Sequence, residues 1–211
     1  MFSYDQSGGG PSRVEDLVTR VEAVHVECEV SRERLRESVS TLHRVLDTAS
    51  QNDPLESFAA LETALKESEK QARSLRDSIA PLKKAASPFF EQWSNDLGAF
   101  TSVSLRQRSQ ERLAETRARY DAVIATVEPA QALYDSFNVA LRDHILFLGH
   151  DFNASSVAVI QGEVEHLDAR ALELAGIFES GMTKTRDYIV STAPPLRFET
   201  EAEPATSPPA K

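Results

Sequence analysis

The stretch from Leu113 to Leu148 reads LAETRARYDAVIATVEPAQALYDSFNVALRDHILFL, and mostly apolar side chains return in it every three or four positions. The seam runs Leu113, Thr116, Tyr120, Val123, Val127, Ala130, Tyr134, Phe137, Leu141, His144 and Leu148. A 3-4 spacing brings side chains back to one face of an α-helix, so the pattern predicts a long amphipathic helix with one buried seam. Three more stretches carry the same signature. The first runs Val14, Leu17, Val21, Val24, Cys28, Leu35, Leu42 and Val45. The second runs Phe58, Leu61, Leu65, Ala72, Leu75, Ile79, Leu82, Phe89 and Trp93. The fourth runs Val157, Ile160, Val164, Leu167, Ala171, Leu174, Phe178, Thr185 and Tyr188.

These seams predict an all-α fold, an elongated antiparallel four-helix bundle of coiled-coil-like long helices. Helices of roughly 35 to 47 residues extend about 50 to 70 Å at 1.5 Å per residue. Short turns between them force antiparallel neighbours. A pair of long hairpins that buries its seams only by dimerising is the alternative. The first seam weakens at Ser31 and Ser38, which suggests a loosely packed middle or a partner there.

Turn chemistry divides the chain. Residues 1–11 are Gly- and Ser-rich and read as a flexible N-terminus. Ser12 with Glu15 reads as a capping box for the first helix. Asp53 and Pro54 form a cap and a first helical turn for the second. Pro81 and Pro88 fall inside the second pattern and Pro129 inside the third, which predicts kinks or short breaks. Ser104 with Gln107 reads as the next capping box, Gly149 as a C-cap, and Asn153 as the cap of the fourth helix. The bundle domain is expected over residues 12–192, and a disordered Pro- and Glu-rich tail over 193–211.

The 211 residues suit one large domain or two small ones. Hydrophobic residues make up 41% and charged residues 27%, the balance of a soluble helical protein. A net charge of -10 argues against a nucleic-acid partner, because phosphate binding needs clustered Lys and Arg. It also opposes simple docking on anionic lipid, though it does not decide the question of membrane association. No apolar run approaches the roughly 20 residues of a membrane span. The first residues show neither a basic region nor an apolar one, so the chain as written reads as cytoplasmic. The single cysteine, Cys28, lies on the first seam and reads as a small buried hydrophobe.

The candidate chemistry is sparse. Glu22 with His25 and Glu163 with His166 have the Glu-x-x-His spacing of carboxylate-bridged metal bundles. The seams turn Glu22, Glu163 and His166 outward, so no metal or cofactor site is expected. His144 lies on the third seam and needs a partner for its ring N–H, either Asp143 or a backbone carbonyl. Arg106, Arg108, Arg112, Arg117 and Arg119 form the one local excess of positive charge, with Glu111 and Glu115 at pairing distance along a helix. Tyr120 is placed to stack on one of these arginines. The weak binding candidates are therefore Arg106, Arg117, Arg119 and Tyr120, with His150 and Asn153 at the third turn. Phe89, Phe90, Trp93 and Phe100 form the densest aromatic cluster and read as core packing near a bundle end. Nucleophile-elbow and phosphate-loop motifs are absent, and no catalytic residue is assigned.

One block of the third and fourth patterns resembles a known family. It comprises Ser104-Leu105-Arg106, Ser109, Leu113, Thr116 to Tyr120, Arg142 to Leu148, His150 and Asn153-Ala154. Arg20 to Ala23 and the region from Phe90 to Trp93 fit as well, so the likeness covers about residues 13–190. These residues resemble DUF2959, a bacterial domain family of unknown function in which many members look like secreted or lipid-anchored envelope proteins. The resemblance implies a bacterial origin and an envelope location, and no enzymatic activity. The chain departs from that pattern in lacking a lipobox cysteine. The expected function is non-enzymatic binding or scaffolding, through a protein partner or self-association. A membrane-associating coiled-coil protein is one alternative, and a metal- or haem-binding bundle using His25, His144 or His166 is another.

Overall fold

A computed structural model describes residues 10–48, 54–150 and 152–192. Four helices account for nearly all of them: α1 Gly10–Thr48, α2 Pro54–Asp96, α3 Val103–His150 and α4 Ala154–Thr192. A short 3-10 turn, Leu97–Ala99, follows α2. Consecutive helices pack side by side, and α4 closes back onto α1, so the four form a closed antiparallel bundle. The bundle therefore buries its seams within one chain and needs no second copy to do so. The expectations for residues 1–9, Asp53 and the tail from 193 onward lie outside the described residues.

The predicted seams are the core. Val21, Val24, Leu42 and Val45 of α1, Leu61, Leu75 and Leu82 of α2, Val123, Tyr134, Leu141 and Leu148 of α3, and Tyr188 of α4 are fully buried. Each large apolar side chain taken from water in this way contributes about 1.5 to 3 kcal/mol. Val14, Phe58, Trp93, Leu113 and Tyr120, nearer the ends, are partly buried against the same core. His144, on the third seam, is half-buried.

Ser31 and Ser38 correct the expectation of a loose middle. Both are completely buried. The space beside Ser31 is filled from other helices, by Gln71 and Tyr134. Gln71 Nε2 donates to Ser31 Oγ at 3.3 Å, to Glu27 Oε2 at 2.6 Å and to the Glu27 carbonyl at 3.2 Å. Ser68 Oγ donates to Asn138 Oδ1 at 2.6 Å and lies 3.1 Å from the Tyr134 hydroxyl. That hydroxyl in turn points to the Ser31 carbonyl at 3.5 Å.

The prolines do not break their helices. Pro81, Pro88 and Pro129 all lie within continuous α-helix. Each occupies an exposed position, and so do Asp77, Lys84 and Ala125 four residues earlier. The carbonyls freed by the missing N–H groups thus face water, which lowers the cost of interrupting the ladder. Two predicted caps move. The structure starts α1 at Gly10, with Pro11 absorbed in its first turn, so Ser12 is inside the helix. Ser102, not Ser104, caps α3: its Oγ accepts from Leu105 N at 3.4 Å, and its carbonyl accepts from Arg106 N at 3.0 Å. Gly149 lies within α3, which runs on to His150. A Cβ there would stand 3.4 Å from the Phe58 ring, an ordinary van der Waals contact, so neither space nor backbone demands glycine at this position.

At mid-bundle Gly181 of α4 packs tightly against α1 and α3. A Cβ at this position would lie 3.1 Å from Cys28 Sγ and 3.3 Å from Val127 Cγ1. Gly181→Leu is therefore expected to destabilise the bundle by about 1 to 3 kcal/mol through overpacking. Cys28→Ala should recover part of that loss. Urea unfolding of both single variants and the double variant measures the coupling, and strict additivity would refute the contact.

Candidate functional site

The arginine-rich start of α3 lies beside the ends of α2 and α4, over an aromatic cluster. Phe89 and Phe90 are buried, with ring centroids 5.1 Å apart, and Trp93 packs edge-on to Phe89 at 5.7 Å. Trp93 Nε1 donates to Ser109 Oγ at 2.9 Å, which pins the end of α2 to the first turns of α3. Phe100 is exposed and stands outside this packing. The cluster is thus the apolar end of the core.

The arginines are used in different ways. Arg117 places its guanidinium 5.7 Å from the Phe90 ring centroid. Tyr120 packs against the same ring at 5.4 Å, so the expected stacking of arginine on Tyr120 is replaced by a shared contact with Phe90. Burial raises the Tyr120 phenol above its usual pKa, and Asp121 and Glu128 add to the effect. Arg119 pairs with Glu115 at 3.6 Å, and Arg112 Nη2 donates to the Ser191 carbonyl at 3.4 Å. Glu111 accepts from Gln107 Nε2 at 3.1 Å. Arg106 and Arg108 are exposed and take no partner among the described residues.

His150 and Asn153 lie at the opposite end of the bundle. Thirty residues separate Tyr120 from His150 along α3, roughly 45 Å. The six candidates therefore divide between two ends. Asn153 Oδ1 accepts from Ser155 N at 2.8 Å and Ser156 N at 3.0 Å, the predicted cap of α4. His150 is exposed on the last turn of α3. Phe58 and Phe152, with ring centroids 5.6 Å apart, close this end.

The remaining histidines are engaged by the fold or face water. His25 Nδ1 lies 2.8 Å from Thr185 Oγ1, linking α1 to α4. His43 Nε2 meets Asp168 at 3.0 Å on the same pair of helices. His144 Nδ1 donates to the Ala140 carbonyl at 2.6 Å, so the backbone rather than Asp143 is its partner. His166, Glu22 and Glu163 are exposed. Among the described residues no three His, Cys, Asp or Glu side chains converge as a metal site would need. Three surface grooves of about 450 to 550 Å³ all run between α1 and α2. One is lined by Thr41, Arg44, Glu56 and Thr63, and the other two flank Pro81 and Pro88.

The buried polar group of Ser31, Ser68, Gln71, Tyr134 and Asn138 includes residues that the sequence reading passed over. Ser68 continues the second seam between Leu65 and Ala72, and that phase is the signal that could have found it. Burial pushes the Tyr134 phenol up to about 12, against the opposing influence of Ser68 and Arg34. The Cys28 thiol is pushed up to about 12 by burial and secondarily by Glu27, so it is a poor nucleophile near neutrality. Burial also raises the Tyr188 phenol.

A family model described as a protein of unknown function, DUF2959, matches residues 6–192. No curated protein and no solved structure matches the chain. No described helix is long and apolar enough to cross a membrane.

Two measurements test these assignments. Burial favours the neutral forms of Cys28 and Tyr134, so their contribution to stability is complete below the unfolded values of 9.0 and 10.0 and disappears as pH rises through about 12. Stability in urea should therefore hold up to about pH 8.5 and then decline, with the earliest part of the decline missing in Cys28→Ala. Stability that rises over this range would contradict the assignment. Asn153→Ala should cost about 1 kcal/mol through loss of the cap, with His150→Ala near neutral by the same assay.

Proposed function

The chain belongs to the DUF2959 family, a family of unknown function, and we propose that it works without catalysis, as a helical bundle that binds or scaffolds a protein partner in the bacterial envelope. The observation that carries this reading is the use made of the reactive side chains. Cys28 is buried in the core, and His25, His43 and His144 are each held by another residue of the bundle. His150 and His166 are exposed, and so are several charged groups, among which the arginines at the start of α3 are clustered. Arg106 and Arg108 project from the start of α3, and Arg117 lies over the Phe90 ring about three turns further along. Guanidinium groups suit carboxylate and phosphate groups, so an acidic protein surface is the partner chemistry this end fits.

The test is affinity capture from gently cross-linked source cells, followed by mass spectrometry. Wild type should retain a stoichiometric partner that the double variant Arg106→Glu, Arg108→Glu loses. Neither arginine side chain has a hydrogen-bond or ion-pair partner among the described residues, so the variant should keep its helical content and melting temperature. A partner retained equally by both proteins would remove the arginine face from the proposal. Turnover of any small substrate by the purified chain would overturn the non-catalytic reading.

A further inference from the structure

The outward face of α3 changes character along its length. The first half of the helix is rich in charge. From Ala122 to His150 the Asp, Glu, Lys and Arg residues are Glu128, Asp135, Arg142 and Asp143 alone. Three of them are turned to α2: Lys83 Nζ donates to Glu128 at 2.7 Å, Arg142 Nε donates to Glu69 at 3.1 Å, and Arg76 pairs with Asp135. The face opposite the core is left to Ala118, Ala125, Ala132, Val139 and Leu146. All five are exposed, Val139 by 50% and Leu146 by 54%. Leu133 and Phe147 are exposed beside them, at 38% and 44%. The outward faces of the other long hairpin carry more charge, with Glu22, Glu29 and Glu33 around an exposed Val26 on α1 and Glu62, Lys66 and Arg73 on α2.

A seven-residue interval drifts by only about 20° per step around a straight helix, so the five residues form one continuous ladder. It is about 42 Å long at 1.5 Å per residue. Side-chain size rises along it, from three alanines through valine to leucine. An antiparallel copy of the same ladder is complementary to this gradient. Leu146 then meets the second copy's Ala118, Val139 meets its Ala125, and Ala132 meets its own counterpart on the twofold axis. The summed size of each pair is smallest where Ala132 meets its counterpart and grows toward both ends, as the gap between two straight helices grows on either side of the point where they cross. A parallel copy would set leucine against leucine at one end and alanine against alanine at the other.

We infer that the outward face of α3 is a self-association surface, on which a second copy of this chain packs antiparallel about Ala132. The contact is isologous, as a closed dimer requires. A strip about 42 Å long and one helix diameter wide, about 10 to 12 Å, is roughly 500 Å² per copy. Two such strips bury about 1,000 Å² in all, the lower bound for a specific interface, so the dimer is reversible. The inference rests on the binding reading above and names a second copy as a partner of the bundle, at a place distinct from the arginine-rich end. With a net charge of -10 per chain, and Asp121 and Asp143 beside the ladder, two copies repel. Salt screens that repulsion, so association tightens as ionic strength rises.

Sedimentation velocity of the full chain over a concentration series, at low and high salt, tests the inference. The expected result is a species of twice the chain mass whose share grows with concentration and with salt. Ala132→Glu places a charge on the axis of the contact and should weaken the dimer by about tenfold or more, with an unchanged melting temperature. Ala132→Cys should cross-link to itself on mild oxidation, whereas Glu62→Cys on the charged face of α2 should not. Cys28 is buried and does not compete. A monomer at every concentration and salt overturns the inference, as does a dimer indifferent to Ala132→Glu. So does a chain that stays monomeric yet floats with lipid vesicles unless Ala132 is replaced by Glu. None of these outcomes bears on partner capture through Arg106 and Arg108, so the two readings fail separately.

Discussion

Tyr134 contacts all three other helices at one level of the bundle. Its ring meets Phe178 of α4 edge-on at 5.4 Å. Its hydroxyl lies 3.1 Å from Ser68 of α2 and 3.5 Å from the Ser31 carbonyl of α1. Long apolar seams are permissive, because a slip of one heptad still buries apolar against apolar. A buried polar layer is not. If the helices slid, Ser31, Ser68, Gln71 and Asn138 would lose partners, and each unmet buried group costs about 1 to 3 kcal/mol. The layer therefore sets the register from which every other contact of the bundle follows.

With that register in place, the charges fall along the helix flanks. Arg32 with Glu179 and His43 with Asp168 join α1 to α4, while Arg76, Lys83 and Arg142 join α2 to α3. Exposed pairs of this kind add little stability each. Their effect is positional: they occupy the flank of α3 toward α2 and leave its outward face to small and apolar side chains. The surface that results is uneven. Arginines crowd one end over the Phe90 and Trp93 cluster, an apolar ladder runs along the rest of α3, and charge covers α1 and α2.

The legible features were those encoded within one helix. Seam residues could be named because burial follows the 3.6-residue period, and Asn153 because a cap acts on backbone two and three residues ahead. Where two capping residues compete within a few positions, local reading loses precision, and Ser102 displaced Ser104. Gly149 is not the C-cap because α3 continues past it to His150, and a helix end is not set to within a residue or two by local sequence. Ser31 and Ser38 looked like gaps because the side chain that fills the space beside Ser31, Gln71, lies on another helix. The partnership of Arg117, Tyr120 and Phe90 was hidden for the same reason: two arginines and a tyrosine close in sequence do not reveal which ring lies beneath which guanidinium.

By itself, then, the sequence determined four amphipathic helices, their order and the residues they bury. These depend on periodicity and on the conformational preferences of residues near one another. Tertiary structure alone decided which helices are neighbours, how Ser31, Ser68, Gln71 and Tyr134 come together in the core, and that the candidate residues divide between two ends of the bundle, with Tyr120 and His150 about 45 Å apart along α3. It also decided that Ala118 to Leu146 is an outward ladder and not a second seam. A helical pattern says which residues share a face, but only the packed neighbours say which face is covered.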